Sequence, residues 1–357
     1  MRNLDRNKRL RTSGRHFGIA TMSLAFVVLL AACSGRFTEY RTSNFAAVPF
    51  AMTAGPNGNI WFTDANGNRI GEITLTGHIT TYPLPTAQAF PLGITDGPDG
   101  NLWFTECWTN KIGRLTPRGL IREYPVPAPY ACPRNITAGP DAALWFTEND
   151  GIGKITTSGA ITEYPVGKMP HPVAEGRDRN LTLEYQRYAY QEQPRSITAG
   201  PDGDIWFTQS FGSMIGKITP NGVMTEYPLP REPGRMPTDP YAIIAGRDGN
   251  LWFTDSRNAL GKITPNGVVT IDAIPLVDGG FGPIFGGIML GRGGNIWVTE
   301  NDGLGRITPH GTVTQYVLPT NYAPPAEMTE DAHGDIWFSE DDPLNGKGGG
   351  RIGELTP

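Results

Sequence analysis

One phrase recurs along the chain and limits what it can become. Gly97-Pro-Asp-Gly-Asn-Leu-Trp-Phe-Thr-Glu106 is followed by Asn110-Lys-Ile-Gly-Arg-Leu-Thr-Pro117, and its Trp returns at Trp61, Trp103, Trp145, Trp206, Trp252, Trp297 and Trp337. Successive intervals are 42, 42, 61, 46, 45 and 40 residues. A period of about 40–45 residues with one Trp per unit marks a repeat architecture. Each unit reads as four short strands, in one case Pro91–Asp96, Leu102–Glu106, Lys111–Thr116 and Leu120–Pro125. Pro and Gly mark the turns between them. Four antiparallel strands per unit, with no helical pattern between units, describe a propeller blade. The fold class is therefore all-β, and seven Trp phrases predict seven blades over residues 37–357.

The last unit stops at a third strand, Arg351-Ile-Gly-Glu-Leu-Thr-Pro357. The missing fourth strand is predicted at Phe37-Thr-Glu-Tyr40, which matches Ile161-Thr-Glu-Tyr164. Pairing the two would close the ring and remove an exposed sheet edge. The one long interval, before Trp206, holds a degenerate copy of a first strand, turn and second strand at Pro170–Glu184, with Thr182 where the Trp belongs. It reads as a hairpin inserted at about 168–190, with an eight-bladed ring containing a decayed blade as the alternative.

Residues 1–32 read as an export leader: six basic side chains and one Asp, with an apolar stretch from Phe17 to Leu30 that is too short to span a bilayer. Leu30-Ala-Ala-Cys33 resembles a bacterial lipobox, which implies cleavage before Cys33, lipid on its thiol and a tether over 33–36. An ordinary signal peptide is the alternative. A monomeric lipoprotein of the cell envelope is expected, facing the periplasm if the host is Gram-negative. Removing the leader takes the net charge from −5 to −10, which argues against a nucleic acid partner. Cys107 follows a second strand and Cys132 precedes a first strand in the next blade, on the same face. An oxidising compartment permits a disulfide between them; two free thiols are the alternative.

First strands start and second strands end at one mouth of the central channel. Strand starts bring Phe50, Leu92, Arg134, Arg195, Tyr241, Gly286 and Ala326 there, with His171 from the insertion. Strand ends bring Asp64, Glu106, Glu148, Gln209, Asp255, Glu300 and Glu340. Such carboxylates either hold a hard cation, Mg2+ or Ca2+, or simply terminate their strands and cap loops. Phe50, Arg134, Arg195 and Tyr241 suit a ligand with an aromatic or anionic group. Trp108 lies outside the repeat register, on the mouth face, and is a further candidate for ligand contact. The seven repeat Trp residues are expected in the core. No Gly-x-Ser-x-Gly elbow, phosphate-cradling loop or paired His at zinc spacing occurs.

Ile197-Thr-Ala-Gly-Pro-Asp-Gly-Asp-Ile-Trp-Phe-Thr208 with Ile215-Gly-Lys-Ile-Thr-Pro-Asn-Gly222 resembles the streptogramin B (virginiamycin B) lyase family across nearly all of 37–357. The resemblance implies a seven-bladed propeller and, for its lyase members, Mg2+-assisted elimination that opens cyclic depsipeptides. It places the base in a last-blade Glu-Pro-His phrase, a second Pro-His one blade earlier, and a metal-holding acid after the last Trp-Phe. Here the first phrase is Pro324-Pro325-Ala326, and Gly286 stands at the second His. Glu340 matches the acid, and the one Pro-His at a comparable position is Pro170-His171. Two readings follow. One is a lipid-anchored propeller that binds a small molecule, glycan or protein at its mouth with the family catalysis lost. The other is a lyase with a relocated site, with His171 as base and Glu300 and Glu340 on Mg2+. Other propeller enzymes, such as lactone hydrolases, complete the field.

Overall fold

Leu102-Trp-Phe-Thr-Glu106 is rich in residues that suit a pleated surface, and Gly-Pro-Asp-Gly before it forces a tight turn, so the chain reverses and pairs locally. That event repeats seven times. In the computed structural model the strands form seven separate antiparallel sheets, each holding four of the strands expected from one repeat. The structure describes residues 27–28, 35–42, 49–166, 193–210, 212–230, 239–256, 259–273, 287–300, 303–318, 325–340 and 350–357. The expected lipidation site Cys33, His171, Gly286 and the insertion at 168–190 lie outside the described residues.

Blade two shows the pattern: Pro91–Asp96, Leu102–Glu106, Lys111–Leu115 and Ile121–Pro125, from the channel outward. The first strand of each blade touches the first strands of its neighbours, and that of blade seven (Pro325–Glu330) touches that of blade one (Pro49–Ala54). The inner ring is closed around an axial channel. Closure at the outer side is as expected: Arg36–Arg41 pairs antiparallel with Arg351–Thr356 as the fourth strand of blade seven. Blade six carries a fifth strand, Val27–Val28, parallel to Thr312–Val313.

Packing between blades explains the repeated residue types. In six blades the Phe after the Trp lies flat on a third-strand Gly; a Cβ at Gly113 would fall 2.1 Å from the Phe104 ring, so only Gly fits. Six of the seven repeat Trp residues are buried and lie against a fourth-strand Tyr, as in Trp103–Tyr124 at 5.6 Å. Each such indole except Trp297 donates to a side chain of the turn before its strand, as Trp103 Nε1 does to Asp99 at 2.9 Å. The exception to the expected burial is Trp252, which is half-buried.

A hydroxyl relay runs around the inner ring. Thr63, Thr105, Thr147, Thr208 and Ser339 each donate to the carbonyl of the next blade's mouth residue: Leu92, Arg134, Arg195, Tyr241 and Phe50. The same oxygens accept an amide from the start of their own blade's first strand, as Thr63 Oγ1 does from Ala51. The mouth positions are thus fixed by bonds to two blades.

Candidate functional site

The mouth residues are set by an irregularity in the first strands. In blades one, two, four, five and seven the pairing of first and second strands shifts register just after the opening Pro, as between Pro325 and Met328. Two consecutive residues therefore occupy the bulge and are re-aimed from the regular alternation. In blade four these are Arg195 and Ser196, in blade five Tyr241 and Ala242, in blade seven Ala326 and Glu327.

Arg195 and Tyr241 come together. The guanidinium lies over the Tyr241 ring, 4.3 Å from its centroid, from the adjacent blade. This stack combines a cation with an aromatic face. Burial pulls the Arg195 pKa down, against the opposing influence of Tyr241, Asp239 and Glu327. Arg134 precedes the short first strand of blade three, Ile136–Ala138, and donates through Nη2 to Asn149 at 3.2 Å. Phe50 is exposed at the mouth, at 42%. Trp108 is 66% exposed and stacks on Phe90 at 4.3 Å and 8°. Beside it Cys107 and Cys132 form the expected disulfide, joining blades two and three.

Glu327 was missed from the sequence. It is the second bulge residue of blade seven, where the other blades carry Ala51, Gly93, Asn135, Ser196, Ala242 and Gly287. Its carboxylate lies over the backbone of blade six, with Oε2 2.8 Å from where a Cβ on Gly287 would sit. It remains half-buried, and burial raises its pKa to about 7 against the lowering charge of Arg195, three blades away. The channel therefore holds a cation and a facing carboxyl. The sequence signal was available: one charged residue in a series of small ones.

The second-strand carboxylates do not form a ring directed at the channel. Each described one with a printed partner is engaged nearby in its own blade: Asp64 with Arg69 (2.7 Å), Glu106 with Thr109 (2.9 Å), Asp255 with the Ala259 amide (3.2 Å) and Glu300 with Gln315 (3.0 Å). Gln209 likewise donates to Glu226 at 2.9 Å. This is the strand-terminating arrangement. Burial, with the nearby Glu123, raises Glu106 to about 7. Burial, then Glu163 and Asp150, raises Glu148 to about 8. Among the described residues no cation is set against Glu148, since blade three has Gly151 where blades one, two and seven have Arg69, Lys111 and Arg351.

For a divalent cation, Glu300 and Glu340 offer two buried carboxylates from adjacent blades. Glu300 is turned onto its own blade: Oε2 accepts from Gln315, and Oε1 covers Gly305 in the space left by Val298, where other blades have Phe. Glu340 is paired in register with Arg351. The donor set is thus partly used. On the opposite face Asp331, His333 and Asp335 approach one another. Asp331 there already accepts three amides and the Trp337 indole, so it acts as the turn's cap.

The model of the virginiamycin B lyase family matches residues 28–183 and 181–357. A streptogramin B lyase structure is 32% identical, covers 90% of this chain and 97% of its own, and superposes with a TM-score of 0.76. A virginiamycin B lyase from Staphylococcus aureus is also 32% identical, covering 90% and 99%, with a TM-score of 0.75. A catalytically inactive His-to-Ala variant of the S. aureus lyase with quinupristin gives 0.74 at the same identity and coverage. Among curated proteins, the virginiamycin B lyase of Bordetella parapertussis is 32% identical over 78 residues, which is 22% of this chain and 19% of that protein. The chain thus matches about a fifth of that relative's length.

Proposed function

The chain belongs to the virginiamycin B lyase family, and from that premise we propose that it is a binding propeller whose mouth holds a small amphipathic ligand without performing the family's elimination. The observation that carries this reading is the Arg195–Tyr241 stack at 4.3 Å with Glu327 facing it, in a family setting where the last-blade base position holds Ala326. A general base must reach its proton within hydrogen-bond distance, and a methyl group cannot take one. A relative made inactive by a His-to-Ala change supports the importance of a His in that enzyme.

In this reading Tyr241 presents an aromatic face and Arg195 pairs with an anionic or strongly polar group of the ligand. Arg134 extends the cationic side, Phe50 and Trp108 form the apolar rim, and Glu327 sets the charge of the channel. The ligand is a small molecule, with a glycan or an exposed protein loop as related occupants. Lipid on Cys33 would hold the domain at the envelope membrane as a monomer, and the acidic mature chain gives nucleic acid no footing.

The test is incubation of the domain from Ser34 onward with a B-type streptogramin, with Mg2+ and with EDTA, following mass and chromatographic retention together. Binding without a new product, lost in Arg195→Met, supports the reading. An isobaric, Mg2+-dependent product overturns it and restores the lyase alternative, with His171, Glu300 and Glu340 as the first residues to replace. A product heavier by one water points to a hydrolase.

A further inference from the structure

Six blades bury their repeat Trp under a Tyr from the fourth strand. The pairs are Trp61–Tyr82, Trp103–Tyr124, Trp145–Tyr164, Trp206–Tyr227, Trp297–Tyr316 and Trp337–Tyr40, with ring centroids 5.4 to 5.6 Å apart. In several blades the same Tyr also packs on the turn of the next blade, as Tyr82 does on Gly119. Blade five breaks the rule. Its fourth strand is Val269-Thr-Ile-Asp-Ala273, and Asp272 pairs with Leu260 in the register position where Tyr124 pairs with Ile112. Trp252 is correspondingly half-buried, while the other six repeat indoles are at most 2% exposed.

A crevice of about 360 Å³ opens there, between blades five and six on the face opposite the mouth. Its walls include the Trp252 ring on one side and Ile296, Ile307 and Pro309 on the other. Lys262 Nζ lies 5.3 Å from the Trp252 centroid, and Arg247 lines the rim beside Pro309. The one carboxylate among the lining residues, Asp248, accepts the Trp252 indole at 3.1 Å and two bonds from Asn250, so its oxygens are occupied. The volume suits a ligand of one or two rings. An aromatic plane whose counterparts in six other blades each stack on a Tyr, with two cations at its border, selects a flat ring bearing negative charge.

We propose that the crevice between blades five and six is a second ligand site that takes a planar aromatic carboxylate, its ring on Trp252 in the place the other blades fill with Tyr and its carboxylate between Lys262 and Arg247. It is independent of the mouth site, from which it is separated by the length of the strands.

The test is calorimetric titration of the domain from Ser34 onward with 2-naphthoate, with cyclohexanecarboxylate and 2-naphthol as controls for ring and charge. Saturable 1:1 binding of 2-naphthoate is expected, with at least tenfold weaker binding of both controls. Asp272→Tyr supplies the missing ring and should abolish this binding while raising the melting temperature, which excludes misfolding as the cause. Lys262→Gln should weaken it several-fold. Arg195→Met, which disables the mouth, should leave it unchanged. Absence of 2-naphthoate binding, equal binding of cyclohexanecarboxylate, or full binding in Asp272→Tyr would overturn the proposal; loss in Arg195→Met would assign the probe to the mouth instead.

Discussion

Tyr40 lies on Trp337 with ring centroids 5.4 Å apart and planes 12° from parallel, and its hydroxyl donates to Glu354 at 2.7 Å. The same ring packs on Gly77 in blade one, whose φ of 85° admits no side chain cheaply. One residue thus joins the fourth strand of blade seven to both sides of the closure. Tyr40→Ala is expected to cost about 2 kcal/mol, the loss of a half-buried aromatic pair. Tyr40→Phe should cost about 1 kcal/mol, that of the hydrogen bond alone. Urea denaturation measures both; a Tyr40→Ala domain as stable as the wild type would show that closure rests elsewhere.

Glu148 is buried with Glu163 and Asp150 nearby and no cation among the described residues, and its pKa is raised to about 8. A carboxyl whose folded pKa lies above its unfolded one favours the folded state while protonated. That contribution is complete below about pH 4.5 and is lost as pH rises through about 8. Melting temperature should fall across this window. Glu148→Gln should flatten the profile and stabilise the domain at pH 8, by at most roughly 4 kcal/mol. A flat wild-type profile would refute the assignment.

Glu327 should titrate near 7, and Arg195 lowers that value, so Arg195→Met is expected to raise it. Carbon-detected titration of the Glu327 carboxyl gives both numbers. Below 7 the carboxyl is neutral and no longer offsets the charge of Arg195, so affinity for an anionic mouth ligand should decline as pH rises past 7. Glu327→Gln should remove that decline. An ordinary carboxyl pKa at Glu327 would remove it as the source of any such pH dependence.

Cys107 and Cys132 close a loop with a sequence separation of 25. Opening it by Cys132→Ser should destabilise the domain by about 3 kcal/mol through the greater freedom of the unfolded chain. Reduction of the wild type should reproduce the loss, and reduction of the variant should add nothing.

Blade number, strand limits and closure could be read before any coordinates because Trp, Gly and Pro recur where packing and turns require them. The disulfide followed from the same topology. The sequence offered the mouth as a set of positions, Arg195 and Tyr241 among them. Their stacking was not legible, since it depends on bulges that re-aim two residues at once. The carboxylates were visible as acids, but not their turning onto Gln315, Thr109 or Glu163, which is a matter of side-chain direction. Trp252 was grouped with its six counterparts because its own phrase is regular; the difference lies 20 residues later, at Asp272.

The pairing of Arg36–Arg41 with Arg351–Thr356 has a consequence for the order of assembly. Blades one to five, and the first four strands of blade six, draw their strands from contiguous chain and can form as it emerges, whereas Tyr40 and Glu354 are 314 positions apart. Loop closure over such a span grows only logarithmically in free energy but delays the contact in time. Until residue 351 is present, the strand at Arg36–Arg41 has no partner and Trp337 has no cover. The ring therefore locks only on a nearly finished chain, and a truncated product is left with an open edge that marks it for removal or misassembly.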